Sequence, residues 1–179
     1  MTYLVLTVIA AALSLLGMAF VGATATRAAR IAAAGVLTAL HAMAVVARLF
    51  EGDVDTDHRP LLVLYSAVLA ICGGSLATTA VFDIVDRADM RAAADVLRGG
   101  IWIGALERLA VFGSLVAGLP EGIAVVLAVK ALGRYPELRI DAARTTDKSG
   151  VGERFIIGTM ISLLWAAAAA YVGLGAGQP

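Results

Sequence analysis

The sequence predicts an all-α fold, a polytopic transmembrane bundle of about six membrane-spanning helices with both termini on the outer side. Three observations lead there. The 179-residue chain is 60% hydrophobic and 16% charged, with a mean hydropathy of +0.89; a soluble domain averages about 45–50% apolar and about 25% charged. Six apolar stretches approach or exceed the roughly 17–25 residues that cross a bilayer. The basic residues outside those stretches fall mostly on alternate connections.

The first stretch, 2–21, is followed by Ala23-Thr24-Ala25, which resembles a signal-peptide cleavage site. No Lys or Arg precedes it, and its apolar run exceeds the roughly 7–15 residues of a signal h-region, so it reads as a retained helix. The second, 28–50, carries His41 near its middle with Thr38 one turn before. A neutral imidazole bonded to a hydroxyl or carbonyl is the ordinary reading of such a histidine; a titrating relay partner for an acid is the sharper one. The third, 60–82, contains Cys72-Gly73-Gly74-Ser75, which weakens the helix locally and suits close packing or a broken helix lining a site. Cys72 is the sole cysteine, so an internal disulfide and a Cys-clustered zinc site are excluded and an inert thiol is expected.

Stretches four (99–119) and five (120–135) form an antiparallel hairpin about the tight turn Gly118-Leu119-Pro120-Glu121-Gly122. The fifth is short and carries Lys130, which suits a tilted span or a re-entrant piece. The sixth is 153–175. Of the longer connections, 83–98 reads as a helical extension of the third stretch, with Asp83 and Arg87 spaced to pair. Segment 134–152 reads as a flexible polar loop, from Pro136 and Thr145-Thr146-Asp147-Lys148-Ser149-Gly150. Neither can form a folded domain, so 1–179 is one integral membrane domain.

Orientation follows from the connections. One side has Arg27, Arg30, Arg87, Arg91, Arg98, Arg134, Arg139, Arg144, Lys148 and Arg154; the other has Arg48 and Arg59. The richer side is cytoplasmic.

The fourth stretch, apolar enough to cross a bilayer, holds Glu107-Arg108 near its centre. A charge at that depth costs roughly 2.5–3.5 kcal/mol on insertion scales and needs partners. Glu107 lies 12 residues before Leu119 and Lys130 lies 10 after Pro120. At about 1.5 Å per residue, the two sit within roughly 3 Å of the same depth, and a Glu107–Lys130 pair is geometrically reasonable. Arg108 is turned about 100° from Glu107 and must find another acceptor: Glu121, Glu153, a backbone carbonyl, or a lipid phosphate reached by snorkelling. Such a pair either fixes helix register or marks a path for a solute, ion or proton.

Small residues recur at helical spacing. Gly100, Gly104, Glu107, Ser114 and Gly118 share one face of the fourth helix; Gly158, Ser162, Ala166, Ala169 and Gly173 share one of the last. Stripes of this kind let helix backbones approach in lipid, and cavity lining is the alternative. On the outer side, Asp53, Asp55 and Asp57 alternate as in a calcium loop. His58 stands where that loop needs glycine and Leu64 where it needs the bidentate acid, so a solvated acidic loop is the better reading.

No nucleophile elbow, P-loop or zinc-spaced histidine pair occurs. No cofactor or metal is expected, and a formal net charge of zero argues against nucleic acid as a partner.

Three ordered runs carry a resemblance. They are Gly100-Ile101-Trp102-Ile103-Gly104-Ala105-Leu106-Glu107-Arg108, then Ala128-Val129-Lys130 with Arg134-Tyr135, then Glu153-Arg154-Phe155-Ile156-Ile157-Gly158-Thr159 with Ser162. In these the C-terminal half resembles an uncharacterised family of bacterial multi-pass inner-membrane proteins. The resemblance implies a bacterial cytoplasmic-membrane location and one constellation of Glu107, Arg108, Lys130, Arg134, Glu153, Gly158 and Thr159. It implies no activity. By position, Arg154 extends this charged set, and His41, Ser114, Thr159 and Ser162 are candidate relay or polar-lining residues.

The leading functional expectation is therefore a non-enzymatic membrane protein in contact with the lipid bilayer, acting as an assembly or accessory subunit or as a homo-oligomer. Its basis is the missing catalytic signature together with the two small-residue stripes. The alternative is a small ion, proton or solute transporter or channel using Glu107 and Lys130. A lipid-acting enzyme comes third.

Overall fold

The computed structural model describes residues 2–24, 26–51, 58–85, 100–143 and 150–174, without the side chains of 19–24, 100, 101, 134, 136–143, 150 and 151. Among the described residues there are six helices and no strand: α1 (Thr2–Thr24), α2 (Arg27–Phe50), α3 (Arg59–Val85), α4 (Gly100–Val116), α5 (Gly122–Ala143) and α6 (Gly150–Leu174). Three of them are long and apolar enough to cross a membrane: α2, α3 and the Gly152–Leu174 part of α6. Thr2–Met18 of α1 and Gly122–Gly133 of α5 are apolar but shorter. The 17 residues of α4 lie at the lower edge of the spanning range.

Helix ends follow local chemistry. Thr26 caps α2 by accepting from the Ala29 amide at 3.3 Å. Pro60 sits in the first turn of α3, where a missing N–H costs nothing. Glu153 lies in the first turn of α6, at the positive end of the helix dipole.

Helices α3 and α6 occupy the middle. The α1–α2 pair packs on α3, α4 packs on α6 and on the centre of α3, and α5 lies outermost against α4. The core is built largely from small side chains. Ala10, Ala11 and Ala77 surround Leu37, Leu69 and Trp165, while Ala70, Ala169 and Ala170 surround Phe112. Short side chains let the helix axes approach closely.

At Leu69–Gly73, within Cys72-Gly73-Gly74-Ser75 and the turn before it, α3 winds as a π-helix. A π turn displaces carbonyls from the regular ladder, and side chains take them up here. Leu69 O accepts from Trp165 Nε1 at 2.9 Å, and Ile71 O accepts from Arg108 Nε at 3.1 Å. The glycines leave the room this needs. A Cβ on Gly73 would lie 2.8 Å from Trp165 Cζ2; one on Gly74 would overlap Arg108 Cδ and lie 3.0 Å from its Nε. Of the two sequence readings, close packing is what the glycines serve here, and the helix is locally overwidened to a π turn but runs unbroken.

This sets a prediction. Gly74→Ala drives a methyl into an arginine pinned at its far end, so a loss of about 1–3 kcal/mol is expected. Gly35→Ala in α2 meets open space and is expected to be neutral or to gain up to about 1 kcal/mol from helix propensity. Thermal unfolding of both purified variants in one detergent checks the contrast.

One connection differs from expectation. Helix α5 continues past Pro136 to Ala143, where a loop from Arg134 is expected. A proline removes one ladder bond, and the helix-forming run Glu137-Leu138-Arg139 after it carries the helix on. Residues 86–99 lie outside the described residues, and with them Arg87. Asp83 holds Arg30 of α2 in a two-pronged pair, at 2.7 Å and 2.9 Å.

The α4–α5 turn is a helix stop. Gly118 has φ 72°, its amide donates to Leu115 O at 3.0 Å, and the Leu119 amide donates to Ser114 O at 2.8 Å. This is the Schellman arrangement, which needs a left-handed residue just past the helix end. Gly118, expected as a packing residue, serves the turn.

Candidate functional site

The site grows from the two charges of α4. Glu107 faces α5, where Lys130 Nζ donates to Glu107 Oε2; their side chains are 14% and 17% exposed. The Lys130 ammonium also lies 5.7 Å from the centre of the Phe155 ring of α6, a cation–π contact. The two helices meet here because Gly122, at the start of α5, packs against Ser114.

Arg108 turns the other way, into the bundle, and is 4% exposed. Its Nε donates to Ile71 O, one Nη to Ser162 Oγ at 2.9 Å, and the other Nη to Ser75 Oγ. Gly74 flanks its stem and Gly104 its guanidinium; a Cβ on Gly104 would lie 3.3 Å from the nearer Nη. Of the acceptors expected from the sequence, Arg108 uses the backbone carbonyl. Glu121 and Glu153 are exposed and do not bond to it. The π turn presents a carbonyl within reach of a straight arginine stem, so no carboxylate is needed for geometry. All three acceptors are neutral, and the Glu107 carboxylate acts on the charge electrostatically without bonding to it.

Between α4, α5 and α6 lies a small cavity of about 10 Å³, room for the centre of one water-sized particle. Glu107, Arg108, Lys130, Thr159 and Ser162 stand around it, with Val111, Val126, Leu127 and Leu163 completing the wall. Thr159 is 6% exposed, and its hydroxyl has no hydrogen-bond partner among the described residues. The three ionised groups of the wall carry +1, +1 and −1, a net charge of +1.

Other expected residues fall elsewhere. His41 is 4% exposed and stacks on Trp165 at 4.8 Å between ring centres, with neither ring nitrogen bonded among the described residues. The Thr38 hydroxyl bonds Ala34 O instead of the imidazole. His41 does not line the cavity, so the relay from Glu107 has no contact behind it. Arg154 lies over the Phe82 ring at 4.0 Å, and the bare Gly158 accepts the edge of that ring. Neither Glu153 nor Arg154 lines the cavity. Of the charged set expected to run from α6's first turn to Glu107, Arg154 meets Phe82 near the helix start, and Glu107, Arg108 and Lys130 stand together around the space between α4, α5 and α6. The Arg134 side chain, the Gly100 surroundings, and Asp53, Asp55 and Asp57 lie outside what is described. Among the described residues, no group of three or more His, Cys, Asp or Glu could hold a metal.

Three members of the site escape the sequence reading: Ser75, the Ile71 carbonyl and Trp165. The available signal was Gly73-Gly74-Ser75 itself, a gap and a hydroxyl in a neighbouring apolar helix, the surroundings a buried arginine requires. The chain matches no known family model, no curated protein and no solved structure, so its functional reading rests on geometry.

Proposed function

We propose that the chain is a non-enzymatic six-span membrane protein that binds and passes a small ion at the centre between α4, α5 and α6. One observation supports this: Glu107, Lys130 and Arg108 border one small space between α4, α5 and α6, and Thr159, which also borders it, has a buried hydroxyl without a partner among the described residues. The termini would lie outside and the basic connections on the cytoplasmic side of a bacterial inner membrane, on the charge asymmetry.

The rival role, an assembly or accessory subunit, leans on the small-residue stripes, and that of α6 packs within the chain. Gly158 meets Phe82, Ser162 holds Arg108, Ala166 and Ala169 are fully buried, and Gly173 packs on Ser66 and Phe112. Val125, Val129 and Leu132 on α5 are more than 60% exposed, and lipid covers such a face as well as a protein does.

Ion flux into proteoliposomes tests the proposal. Wild-type protein is expected to carry flux above the protein-free background, and Glu107→Gln and Lys130→Met are each expected to lower it at least about tenfold, the effect of about 1.4 kcal/mol. Background flux from all three overturns the reading.

A further inference from the structure

The π turn of α3 is held by side chains from two other helices. Trp165 of α6 donates to Leu69 O at 2.9 Å, and Arg108 of α4 donates to Ile71 O at 3.1 Å. The Ser75 hydroxyl donates to that second oxygen as well, at 3.1 Å, while accepting from an Arg108 Nη. A π turn is rare and persists where its surroundings hold it. Trp165 and Arg108 also flank the same glycine: a Cβ on Gly74 would lie 3.1 Å from Trp165 Cδ1 and 3.0 Å from Arg108 Nε. The indole is supported in turn by His41 of α2, which stacks on it with 4.8 Å between ring centres and 27° between planes. The two residues are 4% and 7% exposed. Neither His41 nitrogen has a hydrogen-bond partner among the described residues, so what the imidazole contributes here is its ring face.

The extra residue of a π turn sets the register of the helix beyond it. Moving the turn along α3 by one position rotates the residues it passes by about 100°, which would carry Ile71 O and Ser75 away from Arg108. We infer that Trp165 and His41 are positioning residues for the charged centre. The stack fixes the indole, the indole fixes the π turn, and the turn fixes Arg108 beside Glu107 and Lys130. The inference rests on the ion-handling reading of that centre and gives it a support from α2, a helix with no residue bordering the space between α4, α5 and α6. It also assigns His41 a role as a ring and not as a proton relay.

Two measurements on the purified full chain test it. The first is ion flux in proteoliposomes. Trp165→Phe keeps an aromatic ring and removes the donor, and is expected to lower flux about tenfold, the effect of one lost hydrogen bond. His41→Ala removes the stack and is expected to lower flux as well. His41→Phe keeps a ring against Trp165 and is expected to carry wild-type flux and to melt no lower than wild type, since two buried unbonded nitrogens are gone. Wild-type flux from Trp165→Phe or His41→Ala overturns the inference. So does equal loss in both His41 variants, which would make the imidazole nitrogens the groups required. The second measurement does not depend on flux. The chain has two tryptophans, and the indole N–H signal of Trp165 is told from that of Trp102 by its absence from the NMR spectrum of Trp165→Phe. Arg108→Lys keeps the charge and alters neither partner of the Trp165–Leu69 bond. It is nevertheless expected to shift the Trp165 signal upfield, toward a weaker bond, and to leave that of Trp102 in place. An unmoved Trp165 signal means that turn and arginine are independent, and the inference falls. A shifted signal in a protein whose wild type carries no flux keeps the coupling and removes the ion-handling reading.

Discussion

Glu107→Ala is expected to lower stability by about 3–5 kcal/mol, because it strands the Lys130 ammonium in a buried site and raises the local charge from +1 to +2. The double variant Glu107→Ala/Lys130→Met is expected to recover most of that loss, since it removes the stranded charge together with its partner. Destabilisation in the double smaller than in the single is the signature of coupled groups. Unfolding in detergent, followed by helical circular dichroism, reads it directly. Equal stability of single and double variants would mean that the two side chains do not share a buried environment.

Arg108→Ala is expected to be of similar size, about 3 kcal/mol, for a different reason. It empties the slot beside Gly74 and Gly104 and withdraws one of the two side-chain donors of Ile71 O, the Ser75 hydroxyl remaining. Cavity formation on truncating a large buried side chain, with the loss of its hydrogen bonds, costs on the order of 3 kcal/mol. Arg108→Lys is expected to recover less than half. One ammonium cannot reach a carbonyl and two hydroxyls on two helices as a planar guanidinium does. Recovery to wild-type stability in the lysine variant would show that charge alone, not the fork geometry, holds the π turn.

Much of the site's layout could be read along the chain because helix geometry is regular. Counting from the Leu119-Pro120 turn places Glu107 and Lys130 at one depth, and the 100° step separates Arg108 from Glu107. The acceptors of Arg108 could not be counted in this way. They lie on other helices, and one belongs to a π turn whose extra residue breaks the 3.6-residue register that every such count assumes. Small-residue stripes were equally ambiguous. Gly158 and Gly173 lie where glycine is needed for close approach, but periodicity does not say whether the neighbour is another copy or, as here, Phe82 and Ser66 of the same chain. Gly118 is assigned by sequence both to such a stripe and to the tight turn after the fourth stretch, and its φ of 72° shows the turn as a helix stop.

If the centre works rather than merely clamps α5 to α4, charge placement matters beyond charge pairing. The exchanged protein Glu107→Lys/Lys130→Glu keeps an ion pair between the two helices but moves the carboxylate from α4 to α5 and sets an ammonium next to Arg108 in sequence. Its flux in proteoliposomes, measured beside its unfolding midpoint, is the most direct test. The expected result is a folded protein, within about 1 kcal/mol of wild type because the pair is retained, whose flux is at background. Wild-type flux from the exchanged protein would contradict the account and make the pair a helix clamp.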